Sequence, residues 1–184
     1  MNNFDYEISK IQNEHIKNIV VKTLEVVPEY FWRIVASSTS KYHPQYALGE
    51  GGLVRHTKAA VAIALCLFEN STVQNFTQEE KDLIVAALIL HDVCKNGIPG
   101  GKWTVTEHPL LVKELFKKIE WNEEEKQFIQ IINNLIETHM GQWVEDFKTK
   151  KKVLEKPKSK LQKFCHMADY LASRKFLEVN FEAI

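Results

Sequence analysis

Apolar residues along this chain recur at three- and four-residue steps, and two-residue alternation is nearly absent. That period belongs to helices that each bury one face. Ile8, Ile11, Ile19 and Val26, with His15 in the same run, predict an opening helix. Pro28 suits the first turn of a second helix through Tyr30 and Ile34. From Ser37 to Gly52 the composition turns to Ser, Thr, Pro and Gly, which predicts a loop. A third helix is expected from Leu53 to Glu69. Thr77-Gln78-Glu79-Glu80 has the spacing of a capping box and leads into Leu83–Leu90, a run apolar nearly all round and so predicted to be the buried central helix. That helix is expected to end at Asn96-Gly97. A short helix follows from His108-Pro109, a longer one from the Asn122 cap to His139, and a last one from Ser159 to Lys175 beyond Pro157. The fold class is therefore all-α, a bundle of about six to eight helices. With no internal repeat and no low-complexity linker, residues 1–184 read as one unit. Helices in 1–36 are expected to pack on a core formed by 37–176.

Ionisable groups interrupt this pattern at particular places. His56 shares a helical face with Ala60, Ala64 and Leu67; His91 follows Ile84, Ala87 and Leu88; His139 follows Ile132, Leu135 and Ile136; Asp169 stacks with Cys165 and Ala172. Each projects from an apolar stripe toward the interior. Asp92 adjoins His91, and His108 opens its own segment. Burying six such groups without mutual compensation costs several kcal/mol apiece, whereas divalent cations compensate all of them. Imidazole and carboxylate without thiolate form a donor set for Mn, Fe, Co, Ni or Zn.

The bulk numbers narrow the setting. At 184 residues, 45% hydrophobic and 26% charged, the chain is long enough for one well-filled core. Its zero formal charge argues against a dedicated nucleic-acid or membrane-surface protein. Lys148, Lys150, Lys151, Lys152, Lys156, Lys158, Lys160 and Lys163 nevertheless crowd one stretch, which reads either as a solvated loop or as an electropositive rim attracting a phosphorylated ligand. Cys66, Cys94 and Cys165 are far apart and odd in number, so reduced thiols in a cytoplasmic setting are expected. The start, Met1-Asn2-Asn3-Phe4-Asp5, has no secretory leader pattern, and no apolar run approaches a membrane span.

The run Gly51-Gly52-Leu53-Val54-Arg55-His56-Thr57, followed by Leu90-His91-Asp92-Val93-Cys94-Lys95, resembles the HD-domain superfamily of metal-dependent phosphohydrolases. Thr106-Glu107-His108-Pro109, Glu137-Thr138-His139 and Met167-Ala168-Asp169-Tyr170-Leu171 extend the resemblance over roughly Lys41 to Lys175. It implies a helical bundle around a central metal site, with His56, His91, Asp92 and Asp169 on one ion. His108 and His139 then imply a second, and Asp92 is the bridging carboxylate. The loop Ser40-Lys41-Tyr42-His43-Pro44-Gln45-Tyr46 is similar to the HD domain of bacterial exoribonucleases, and the ligand spacing is similar to small hydrolases of diadenosine tetraphosphate. The Gly-Tyr-Pro signature of cyclic-di-GMP phosphodiesterases is missing, which disfavours that substrate, and no attached nucleic-acid-binding domain is expected, which weakens the exonuclease reading. Cys94 stands where the family often has Gly.

The resemblance implies two divalent ions that supply hydroxide to a phosphorus centre, in a phosphoester or phosphoanhydride of a small nucleotide-type substrate, with short RNA as a further candidate. Lys95, one turn past Asp92, is a candidate catalytic partner of that carboxylate, or else offsets the helix C-terminal dipole. Lys41, His43, Arg55, Arg174 and Lys175 are candidate phosphate contacts, arginine being suited to bidentate binding. His166 lies about 60° from Asp169 on a helical wheel and is assigned to packing or support of the pocket wall. Trp103, Trp121 and Trp143 are candidates for core, pocket wall or interface; Trp103 and Trp143 fall in loop-like segments near the site, where stacking on a base is the alternative to core or lid packing. A mixed-valence di-iron oxygenase built on the same six ligands, or a nucleotide-sensing module, is the alternative reading.

Overall fold

The computed structural model describes residues 3–37, 43–72 and 74–176. Among them are seven α-helices: α1 (Asp5–Ser9), α2 (Glu14–Leu24), α3 (Gly52–Phe68), α4 (Gln78–Leu90), α5 (His108–Phe116), α6 (Glu123–Glu137) and α7 (Lys160–Ala172). The only extended pairing among these residues is an isolated bridge between Glu145 and Lys152.

Local chemistry sets the starts. Thr77, Asn122 and Ser159 each cap a helix and accept from the backbone N–H three residues on, while Glu80, Glu125 and Gln162 reach back to the cap. Helix α4 is the centre of the bundle. Residues 82–94 are buried without interruption, and α2, α3, α6 and α7 pack around it. Among the described residues, no helix is long and apolar enough to cross a membrane.

Three elements depart from the hydrophobic pattern. The opening helix is two helices, because Asn13 turns its side chain onto the His15 and Ile16 amides (2.9 and 3.2 Å) and starts α2 afresh. The amides of Gln12 and Asn13, left over by that break, donate to Asp82 on α4 (3.0 and 2.8 Å). The segment after Pro28 makes only a 3-10 turn, Glu29–Trp32. Beyond it the carbonyls of Arg33 and Ile34 accept from Gly51 and Leu53 (2.8 and 2.9 Å), so the chain runs beside the start of α3 instead of coiling. Helix α4 stops at Leu90, not at Asn96-Gly97. Residues 91–100 form consecutive turns around Tyr30, whose hydroxyl donates to the Gly97 carbonyl (2.8 Å) and accepts from the Asn96 amide (3.1 Å).

Candidate metal centre

Helix ends, not helix middles, supply most of the site. His91 is the C-terminal cap of α4, with Asp92 just beyond it; His108 opens α5; His139 follows the α6 cap Thr138. His56 sits in the first turns of α3, and Asp169 in the last turn of α7. The four imidazoles and Asp92 are at most 2% exposed.

Three of the imidazoles are held in one way. Nδ1 of His91, His108 and His139 donates to the carbonyl three residues earlier, that of Leu88, Val105 and Ile136, at 2.6, 2.7 and 2.8 Å. A carbonyl only accepts, so the hydrogen is on Nδ1, and each Nε2 is presented to the centre. Neighbouring rings meet edge to face: His56 on His91, His91 on His139, and His108 on His139, with centroids 5.6, 4.8 and 5.2 Å apart.

Asp92 lies in the middle with its two oxygens facing different partners. Oδ2 is 3.4 Å from His91 Nε2, 3.9 Å from His56 Nε2 and 2.5 Å from Lys95 Nζ. Oδ1 is 2.9 Å from His108 Nε2 and 3.7 Å from His139 Nε2. Asp169 Oδ1 joins the first group, 2.9 Å from His56 Nε2 and 3.4 Å from His91 Nε2. Two overlapping triads result, His56–His91–Asp169 and His91–Asp92–His139, each with its donor atoms within 4.8 Å of one another.

The electrostatics fit a cation. Nε2 of His108 and of His139 face each other at 3.4 Å although both rings carry their hydrogen on Nδ1. His91 Nε2 and Asp92 Oδ1 are buried without a hydrogen-bond partner. Acceptors turned on acceptors in a dry centre repel unless positive charge lies between them. Protein charge supplies part of it. Burial pushes the Asp92 carboxyl up, but Lys95, His91 and His108 outweigh it and hold it well below the usual carboxylate range. Burial likewise opposes ionisation of Asp169, and His56 and His91 reverse the balance. Burial lowers His91, but Asp92 and Asp169 raise it to about 10, so this imidazole takes up a proton where no metal competes. His139, desolvated and beside His91, is pushed down to about 3 and stays neutral. The residues present therefore fit divalent metal.

Beside the ligands is a cavity of about 330 Å³, lined in part by His43, Lys95, Trp143, Tyr170 and Arg174. His43 packs edge-on against His56 (5.3 Å), and its buried Nδ1 has no partner. Burial and the neighbouring His56 and Lys95 push His43 down to about 3. Arg174 spreads over the Tyr170 ring (4.3 Å), which stacks in turn on Trp143 (5.9 Å). Met140 and Ser173 also line this cavity and had no signal in the sequence beyond proximity to His139 or Asp169, while Tyr170 stood out only as part of the Met167–Leu171 run.

Other candidate residues lie elsewhere. Arg55 donates to the carbonyls of Tyr46 and Leu48 (2.5 and 2.8 Å) and pins the segment before α3, outside the cavity wall. Lys175 is exposed beyond α7 and does not line the cavity. Lys41 lies outside the described residues. Trp103 is 60% exposed and away from the cavity, whereas Trp121 packs on Phe116 and donates to its carbonyl (2.7 Å). His166 supports the site from behind, donating from Nδ1 to the His139 carbonyl. Among the crowded lysines, Lys152 and Lys158 pair with Glu155, and Lys160 with Glu80.

A family model described as HD domain matches residues 53–174 of this chain. No curated protein and no solved structure matches it.

Proposed function

Because the chain belongs to the HD-domain superfamily of metal-dependent phosphohydrolases, we propose that it hydrolyses a phosphoester or phosphoanhydride bond of a nucleotide-type substrate, using two divalent ions. One ion is assigned to His56, His91 and Asp169, the other to His108 and His139, with Asp92 shared. The observation that carries this reading is the division of Asp92, whose Oδ2 faces His56 and His91 and whose Oδ1 faces His108 and His139. A carboxylate so placed suits a bridge between two sites. When bound, such ions lower the pKa of water and stabilise charge on phosphoryl oxygens.

The chain's own residues set the rest. The Nδ1–carbonyl bonds fix the tautomer and aim of these imidazoles, so little reorganisation accompanies reaction. Lys95 and Arg174 bring positive charge to the cavity wall, where an anionic phosphate enters. Lys95 is one turn from Asp92, within reach of both carboxylate and substrate. His43 offers a neutral ring with an unpartnered nitrogen at the same wall. The net reaction adds water across a P–O bond: the water oxygen ends on phosphorus and one of its protons on the leaving oxygen. The three free thiols accord with a cytoplasmic setting.

The test is chromatography of a nucleotide panel incubated under nitrogen with manganese-loaded protein of measured metal content. Mono- and triphosphates, dinucleoside polyphosphates, cyclic dinucleotides and short RNA belong in the panel. Cleavage of any member without oxygen is the expected result and excludes the oxygenase chemistry. Silence across the panel, from protein holding two metals per chain, overturns the proposal.

A further inference from the structure

The cavity beside the metal ligands adjoins a second hollow through a shared wall. The inner cavity measures about 330 Å³ and the outer one about 550 Å³, and Met140 and Trp143 line both. The outer hollow is bounded by Thr104, Thr106, Asp146, Phe147 and Lys150 among others. Two large aromatics stand open here, Trp143 at 44% and Phe147 at 81% exposure.

Phe147 stands out from the fold. It rides on a hairpin whose base is buried through Val144 and Leu154. Val144's carbonyl accepts from the amides of Val153 and Leu154 (2.8 and 3.1 Å), and Asp146 donates to the Lys151 carbonyl (2.9 Å). Lys150, in the left-handed region at φ 57°, closes the turn and sets its ammonium over the Phe147 ring at 4.7 Å. The anchored base places Phe147 on the wall of the hollow.

Charge separates the two spaces. The inner wall carries Lys95 and Arg174 beside Asp92 and Asp169, the two carboxylates whose charge is assigned to the divalent ions. The outer wall sets Glu145 and Asp146 against Lys150. Asp146 accepts from the Thr149 amide (2.7 Å) and the Thr106 hydroxyl (3.3 Å), and those bonds help hold its carboxyl low and ionised. Phosphate is therefore favoured inside, and an uncharged planar group with N–H donors outside. We propose that the outer hollow is the base-recognition subsite: the substrate's phosphate lies at the metal centre, its sugar passes Trp143, and its nucleobase stacks against the Trp143 and Phe147 side chains. Stacking reads the π-face, so the subsite distinguishes nucleotides from plain sugar phosphates more than one base from another.

This inference rests on the phosphohydrolase reading, and the experiment separates the two. The kcat/KM of manganese-loaded protein is measured for the four nucleoside 5′-monophosphates and for ribose 5-phosphate. Equilibrium dialysis of the same ligands runs in parallel. Stacking on an aromatic side chain is worth enough that the wild-type chain should prefer nucleotides to ribose 5-phosphate by about tenfold or more. Phe147→Ala and Trp143→Leu should each shrink that ratio, chiefly through KM. Phe147 is exposed, so its replacement leaves the core intact. Turnover with equal kcat/KM for all five ligands, or a ratio unmoved in both variants, overturns the subsite while leaving the hydrolase standing. Absence of turnover with every ligand counts against the hydrolase, and dialysis then decides the subsite: tighter nucleotide binding that Phe147→Ala abolishes supports it, and equal binding overturns it.

Discussion

The His166 imidazole donates from Nδ1 to the His139 carbonyl at 2.7 Å, and so α7, which carries Asp169, is tied to the turn that carries His139. The turn comes close enough to make that bond because residue 141 is glycine. Gly141 has φ 63°, and a Cβ built there falls 2.1 Å from His166 Cε1. Gly141→Ala therefore meets a left-handed backbone cost and a ring contact together, for an expected loss of about 3 kcal/mol in stability. Urea denaturation checks this. The double variant Gly141→Ala/His166→Ala removes the contact but not the backbone cost, and should recover part of the loss. A double variant no better than the single one refutes the ring contact as the cause.

Asp82 is the buried carboxylate that sets the entry to α2. Only 1% exposed, it accepts from the amides of Gln12 and Asn13 and from the Gln78 side chain (2.8 Å). Asp82→Ala leaves two backbone donors without their acceptor, at an expected cost of about 3 kcal/mol. Asp82→Asn keeps an acceptor oxygen and should cost visibly less. Equal losses in thermal denaturation argue that the cavity, not the hydrogen bonds, sets the effect.

These two residues show where the sequence was readable and where it was not. Helices α4 and α6 carry their start signals locally, in the Thr77 and Asn122 capping boxes, so both were legible. The convergence of His56, His91, Asp92, His108, His139 and Asp169 was legible too, because ionisable groups on apolar stripes have no other economical place. The break between α1 and α2 was not, since its acceptor, Asp82, lies about seventy residues away in sequence. The lysine-rich stretch from Lys148 to Lys152 read as a solvated loop or an electropositive rim and hid a hairpin anchored by Val144 and Leu154. Arg55 had the composition of a phosphate contact, yet two nearby carbonyls claim it. Such competition between local backbone and ligand is invisible without coordinates.

Glu125 makes stability depend on acid. It is 1% exposed, accepts from the Asn122 amide (3.0 Å) and pairs with Lys22 of α2 (3.0 Å). Burial raises its carboxyl, but the Asn122 amide and Lys22 outweigh that and leave it below the ordinary value. A lowered folded-state pKa means that the stabilisation is complete above the unfolded value of about 4.3 and fades as pH falls through the folded value. Thermal midpoints taken downward from pH 5 should therefore drop less steeply in Glu125→Gln than in the wild type. Parallel curves in the two proteins contradict the assignment.

Asp92 distinguishes a metal centre from a cluster that merely packs. Among the described residues it is the one carboxylate within 4 Å of all four ligand histidines. Asp92→Ala should therefore lose metal and turnover together, measured by elemental analysis after gel filtration and by phosphate release. The same deletion removes the negative charge that draws His91, and the remaining imidazoles become neighbours with nothing between them. Wild-type protein stripped by chelator should likewise lose thermal stability and regain it on adding manganese, because ligand binding to the folded state alone raises its stability. Asp92→Ala should fail to regain it. Chelator-stripped wild type indifferent to manganese, or a metal-replete and active Asp92→Ala, removes the basis for placing ions at this carboxylate.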